Sequence, residues 1–249
     1  MTLGEETHVS FRDLVDLPST SHGVFGLYKY PARFIPHVVY YVIENYCESG
    51  MSVFDPFAGQ GTVGMVARLL GHNYELWDLN PMLEVLHNVS RVSVDGFDTH
   101  GVMEAIQESD YVFRPDWPNF DYWFHEAFVP LLTRAWGYYH GLQDHRCRLL
   151  LAVPLLKVSR FYSYDDMGRM KLSRSPRSLQ RVRDLLARDW HEEFFRRLEL
   201  ELHAVIRRLS EYAEMEPVDT QHIVRAGVDS LELRPGRNHD ILITSPPYL

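Results

Sequence analysis

The sequence predicts an α/β fold: a parallel, doubly wound sheet interrupted by a large helical insertion. Three observations carry that expectation. MSVFDPFAGQGT (51–62) sets a short apolar run, an acid and a glycine-rich turn in series, and VGMVARLLG (63–71) follows with apolar residues at helical spacing. NYELWDLNP (73–81) then forms a second short strand closed by an Asn-Pro turn. Strand, turn, helix and strand within about thirty residues make a βαβ unit of a parallel sheet. Much later, HIVRAGVDS (222–230) and HDILITSPPY (239–248) return to strand patterning.

The other elements follow in order. Residues 1–27 are polar with turn formers and are expected to run along the surface. In YKYPARFIPHVVYYVIENYCESG (28–50), Pro36 suits a first helical turn and Gly50 a stop. From about 83 to 222 the texture is mostly helical. Leu185, Trp190, Phe194, Leu198, Val205 and Leu209 can share one face of a single long helix. The division expected is residues 1–82 as a βαβ half, 83–222 as a helical insertion, and 223–249 as the return to the sheet. Strand starts near 51, 74, 223 and 241 give four strands, and the last of them would present an exposed apolar edge.

Composition sets the class. The chain has 249 residues, 45% of them hydrophobic and 24% charged, which is ordinary for a globular protein. Its longest apolar run, Leu149 to Leu156, is eight residues and contains Pro154, against the roughly 20 a membrane span needs. The polar, acidic start MTLGEETHVS does not read as a signal peptide. Cys47 and Cys147 make neither a disulfide framework nor a zinc cluster. A cytoplasmic protein without metal is expected. The net charge of −9 argues against a protein that coats DNA, but not against one that meets it through a local patch.

Asp55-Pro56-Phe57-Ala58-Gly59-Gln60-Gly61-Thr62 follows a strand and opens a helix. Glycines there allow positive φ and close backbone approach to a ligand, and freed amides at a helix start attract negative groups. The spacing is read as neither the dinucleotide Gly-x-Gly-x-x-Gly nor a phosphate loop ending in Gly-Lys-Ser/Thr. Asp78 stands 78 − 55 = 23 residues after Asp55, where an acid can accept from both hydroxyls of a ribose. It could equally be a turn acid in Asp-Leu-Asn-Pro. Ser245-Pro246-Pro247-Tyr248 follows an apolar strand, which places it at the carboxyl edge of the sheet.

Together these residues resemble the amino-group (cytosine-N(4)/adenine-N(6)) DNA methyltransferases. The octapeptide is similar to that family's cofactor motif DPFxGxGT, and the tetrapeptide to its catalytic loop. The resemblance implies an incomplete Rossmann-like class I methyltransferase sheet, S-adenosyl-L-methionine as cofactor, and double-stranded DNA as partner. It assigns cofactor binding to Asp55, Pro56, Phe57, Ala58, Gly59, Gly61 and Thr62, and the ribose to Asp78. It assigns the adenine amino group to Asp229 in Ala226-Gly227-Val228-Asp229-Ser230. Lys29 and Pro31, in Lys29-Tyr30-Pro31-Ala32-Arg33-Phe34, resemble the segment beside the methionine end of the cofactor.

The catalytic chemistry suits the residue types. An aromatic amine is a weak nucleophile because its lone pair is delocalised. Acceptors on its protons, the Ser245 side chain and the Pro246 carbonyl, favour a pyramidal nitrogen. Pro246 and Pro247 make the loop rigid, and Tyr248 can stack on an extruded base. Serine in the first place resembles cytosine-N(4) enzymes, and Asp or Asn adenine-N(6) ones. Cytosine-C5 chemistry needs a cysteine after a proline, and Cys47 and Cys147 follow Tyr46 and Arg146.

Residues 157–188 hold nine Lys/Arg and three Asp, a net of +6. Within them Lys171, Ser173, Arg174, Ser175 and Arg177 form a loop, unopposed by acids, that is expected to contact DNA phosphates. Arg181, Arg183 and Arg188 are expected on a solvated helix face. Two rivals stand beside this reading: an RNA or protein-glutamine methyltransferase, whose families carry related Asx-Pro-Pro-Tyr loops, and a non-enzymatic remnant or regulatory subunit. The family's sheet continues past the catalytic loop, so a second polypeptide supplying further strands is expected, with a fragmentary product as the alternative.

Overall fold

The structure, a computed structural model, describes residues 10, 15–30, 33–169 and 171–245. It is α/β, with a four-stranded sheet in the order β3-β2-β1-β4. The strands are β1 (Ser52–Asp55), β2 (Asn73–Asp78), β3 (His222–Ala226) and β4 (Ile241–Leu242), and every pairing is parallel. The chain divides into two compact units, one from Met1–Ser90 with Ser210–Leu249 and the other Arg91–Leu209.

In the first unit, α1 (Pro36–Tyr46) begins with Pro36 at its first position, where the missing amide costs nothing. It ends four residues before Gly50, whose φ of +87° makes the turn into β1. Helix α2 (Thr62–Leu69) joins β1 to β2 and is closed by Gly71 at φ +72°, with the His72 amide returning 2.8 Å to the Ala67 carbonyl. Helix α3 (Met82–Val89) follows the Asn80-Pro81 turn, where Asn80 Oδ1 accepts from the Met82 amide. The segment before α1 is not wholly superficial as expected: Val15, Leu17, Val24, Phe25 and Leu27 are buried. Apolar side chains spaced among polar ones were enough to anchor it.

Register sorts the side chains onto two faces. Tyr74 pairs with Val53 and His222, and Leu76 with Asp55 and Val224; this face packs on α2. A Cβ on Gly64 would stand 2.7 Å from a Leu76 methyl and 2.8 Å from the Tyr74 ring. Continued past the octapeptide, the loop is therefore Gly59-x-Gly61-x-x-Gly64 after all, and its third glycine serves helix-to-strand packing. The opposite face carries Phe54, Glu75 and Trp77. Glu75 is fully buried there, accepting from Trp77 Nε1 at 2.7 Å and facing His239 Nε2 at 3.0 Å, with Arg225 and Arg237 at 3.4 and 3.8 Å. A buried carboxylate is tolerated only when paired in this way.

Arg68, in the last turn of α2, gathers the places where the chain leaves and re-enters this unit. Its Nη1 donates to the Ser90 carbonyl, its guanidinium lies 5.7 Å from the Tyr212 ring centroid, and its own carbonyl accepts from the Val218 amide at 2.9 Å. Tyr212 in turn donates 2.6 Å to the Met65 carbonyl.

The second unit is helical: α4 (Thr99–Glu108), α5 (Phe120–Trp123), α6 (Val129–Gly141), α7 (His145–Phe161), α8 (Pro176–Leu186) and α9 (Trp190–Ala213), the last running on into the first unit. Its core includes Phe128 edge-on to Tyr162 and Trp190, with Tyr162 against Phe194. The long helix expected from Leu185 onward is two helices. Leu185 lies in the last turn of α8, and Asp189 starts α9 by accepting from the Glu192 amide at 3.2 Å. An N-capping acid competes with helix continuation at that point. Phe194, Leu198, Leu202, Val205 and Leu209 remain one buried stripe. No helix among the described residues is long and apolar enough to cross a membrane.

Candidate active site

Parallel strands present their carboxyl ends together, and in such sheets ligands bind at that edge. Asp55 ends β1, Asp78 ends β2, Asp229 follows β3 and Ser245 follows β4. Backbone and side-chain bonds knit these ends to one another. The Ile243 amide donates to the Phe54 carbonyl at 3.0 Å, and the Val228 amide to the Asp78 carbonyl at 3.2 Å. Thr244 Oγ1 donates to Asp55 Oδ1 at 2.8 Å, across 189 residues of sequence. The loop stem that leads into Ser245 therefore stands beside the glycine loop.

The glycine loop is shaped by its own hydrogen bonds. Asp55 Oδ1 also accepts from the Phe57 amide at 3.0 Å, the Ala58 amide donates to the Trp77 carbonyl, and the Gly61 amide to the Ala58 carbonyl. Gly59 and Gly61 have φ of +57° and +88°, conformations that need glycine. Thr62 is buried and its Oγ1 accepts from Gln60 Nε2 at 3.2 Å. Pro56 and Phe57 are half-buried on the outer part of the turn, and Ala58 is buried.

Asp55 is 2% exposed. Burial pushes its carboxyl up to about 7; the Thr244 and Phe57 donors oppose that, and the charge of Asp78 adds to it. Asp78 is half-buried: Oδ2 accepts from the Gly59 amide at 2.7 Å and Oδ1 from the Asn80 amide at 2.8 Å. Each oxygen retains a lone pair. Asp229 is exposed and turns its Oδ1 to the Leu231 amide at 2.9 Å. Lys29 is exposed, and Ser245 half-buried. Pro31, Pro246, Pro247 and Tyr248 lie outside the described residues.

Tyr30 belongs to this site although only its neighbours were singled out from sequence. A Cβ on Gly59 would meet its ring at 3.2 Å. Its hydroxyl is bonded to the Asn80 side chain, and burial and the nearby Asp78 charge raise its pKa. The signal was present in Lys29-Tyr30-Pro31, but nothing local says that the ring lies on the glycine loop. Asn80, Gln60 and Thr244 were missed for the same reason.

In the second unit the basic loop is opposed by acids, contrary to expectation. Asp165 Oδ1 accepts from the Ser173 amide at 2.9 Å while its Oδ2 takes Arg160 Nε at 2.6 Å. Asp166 is held below the usual carboxylate range, chiefly by a bond from Ser175. Ser175 also caps α8, exchanging bonds with Ser178. Arg174 lies between the Tyr122 and Tyr164 rings, 4.5 and 4.2 Å from their centroids, and donates to the Tyr122 carbonyl. Lys171 and Arg177 are exposed. Arg181 is not on a solvated face: it donates to the Ser163 and Asp165 carbonyls at 2.7 Å each, and burial lowers its pKa. Arg183 and Arg188 are exposed.

A family model described as DNA methylase matches residues 5–85, a segment that includes the glycine loop, Tyr30 and Asp78. Over those residues the chain is similar to the amino-group DNA methylases. No curated protein and no solved structure matched the chain.

Proposed function

We propose that this chain is an amino-group DNA methyltransferase that moves a methyl group from S-adenosyl-L-methionine to the exocyclic amine of a base extruded from double-stranded DNA. The acceptor is cytosine-N(4), in a site-specific, restriction-modification setting, and the fold is the Rossmann-like sheet of class I methyltransferases. The observation that carries this reading is the Thr244–Asp55 hydrogen bond, which supports placing the catalytic loop against the cofactor loop.

The residues present fit the cofactor. Gly59 and Gly61 turn the loop at positive φ, so that its backbone can approach a ligand closely, and Asp78 keeps acceptor capacity for ribose hydroxyls. Asp55, Pro56, Phe57, Ala58 and Thr62 set the loop's shape. Tyr30, with Lys29 and Pro31 beside it, borders the loop, and Asp229 takes the adenine side. When bound, the cofactor supplies a sulfonium methyl electrophile. This chain's own groups do the rest. Ser245 Oγ and the Pro246 carbonyl accept hydrogen bonds from the amine, whose surplus proton leaves to solvent after the methyl is transferred, Pro247 stiffens the loop, and Tyr248 stacks on the base. Positioning provides much of the acceleration.

In the same reading Lys171 and Arg177, the exposed members of the basic loop, meet the DNA backbone. The main test is incubation with isotope-labelled cofactor and duplex DNA, digestion to nucleosides and mass spectrometry. N(4)-methylcytosine is expected, N(6)-methyladenine would select the other amine, and labelled cofactor binding without any methylated nucleoside would overturn the reading in favour of a non-catalytic subunit.

A further inference from the structure

We infer that Thr244 is a positioning residue that ties the catalytic loop to the cofactor loop, fixing where Ser245 stands through the Asp55 carboxylate. The inference rests on the methyltransferase reading above. One carboxylate oxygen, Asp55 Oδ1, accepts from Thr244 Oγ1 at 2.8 Å and from the Phe57 amide at 3.0 Å. Thr244 is the residue before Ser245, and Phe57 lies inside the glycine octapeptide. A single buried atom thus joins the stems of the two loops.

The backbone alone holds this register weakly. The β4 ladder contains two residues, Ile241 opposite Val53 and Leu242 opposite Phe54, and its last backbone bond is Ile243 N to Phe54 O. Register in so short a ladder is poorly specified, and a one-residue slip would turn every side chain to the other face. Side chains bracket it at both ends. The Asp240 carboxylate accepts from the Ser52 amide at 2.7 Å and from Ser52 Oγ at 3.0 Å, and Thr244 closes the far end on Asp55. The Asp240 end is exposed and the Asp55 end is 2% exposed. The Asp240 bonds are exposed and the Thr244 bond is part-buried, so water competes less for the second, which does more to hold the loop stem. A protonated Asp55 can carry its proton on Oδ2 and still accept on Oδ1, so the tie survives titration.

The test compares the full chain with Thr244→Val and Thr244→Ser. Hydrogen exchange at the amides of 241–245 reads the tie without any activity. Loss of one hydrogen bond should speed exchange roughly fivefold in Thr244→Val, and Thr244→Ser should restore it. Steady-state assays should show kcat for DNA methylation falling roughly a hundredfold in Thr244→Val, as for an ångström-scale misplacement. Cofactor affinity by calorimetry should hold within about twofold, and Thr244→Ser should recover kcat. Unchanged exchange in Thr244→Val overturns the inference. So does a parallel loss of cofactor affinity and kcat, which would mark a merely structural residue. If the wild-type chain methylates nothing yet Thr244→Val accelerates exchange, the tie stands and the methyltransferase reading is what fails.

Discussion

Asp55→Asn removes a titrating charge from a site that is 2% exposed while keeping an oxygen for Phe57 and Thr244. In the folded chain the carboxyl is raised from 3.8 to about 7, with burial as the main cause. Three units at 1.36 kcal/mol each mean that ionised Asp55 disfavours the fold by up to about 4 kcal/mol. The folded value lies above the unfolded one, so the wild-type residue contributes fully below about pH 4. That contribution is lost as pH rises to about 7 and does not return. Asparagine does not titrate, so the variant should gain on the wild type by about 3 kcal/mol between pH 5 and 8.5. Urea unfolding at those two pH values, analysed through midpoints and slopes, measures the difference while other titrations cancel. A stability difference that is the same at both would refute the argument that burial keeps Asp55 protonated.

Gly64→Ala drives a methyl into Leu76 and Tyr74 and should destabilise by about 1–3 kcal/mol, read as a lowered Tm. Asp78→Asn replaces a charged acceptor at the Gly59 amide and should weaken cofactor binding roughly tenfold to a hundredfold by calorimetry. Arg177→Ala should lower the slope of log K against log salt for DNA binding by about 1. Arg174→Ala, which empties the space between Tyr122 and Tyr164, should lower Tm as well.

The four strands and the glycine loop were legible because their signals are local. A run such as Ser52-Val53-Phe54-Asp55 followed by Gly59 and Gly61 fixes strand and turn within a dozen residues. What could not be read is which ends meet. Thr244 and Asp55 touch because β4 lies on β1 rather than on β3, and strand order leaves no local mark. Nothing local marks Glu75 as a buried ion-pair centre, because its partners Arg225, Arg237 and His239 arrive at least 150 residues later. The basic loop misled in a related way: a count along the sequence found Lys and Arg, whereas Asp165 and Asp166 fold back onto it. The break before Trp190 turned on Asp189, whose capping outweighed the continuing apolar period.

Arg68 has a consequence for how this architecture can be altered. It touches Ser90, where the chain leaves the sheet unit, and Tyr212, shortly after it returns, so the excursion of Arg91–Leu209 begins and ends at one side chain. Insertions with neighbouring end points are tolerated because their hosts close without them. The excursion is thus a cassette: exchanged for another, or replaced by a short glycine-serine linker, it would leave β2 and β3 adjacent and the host scaffold whole.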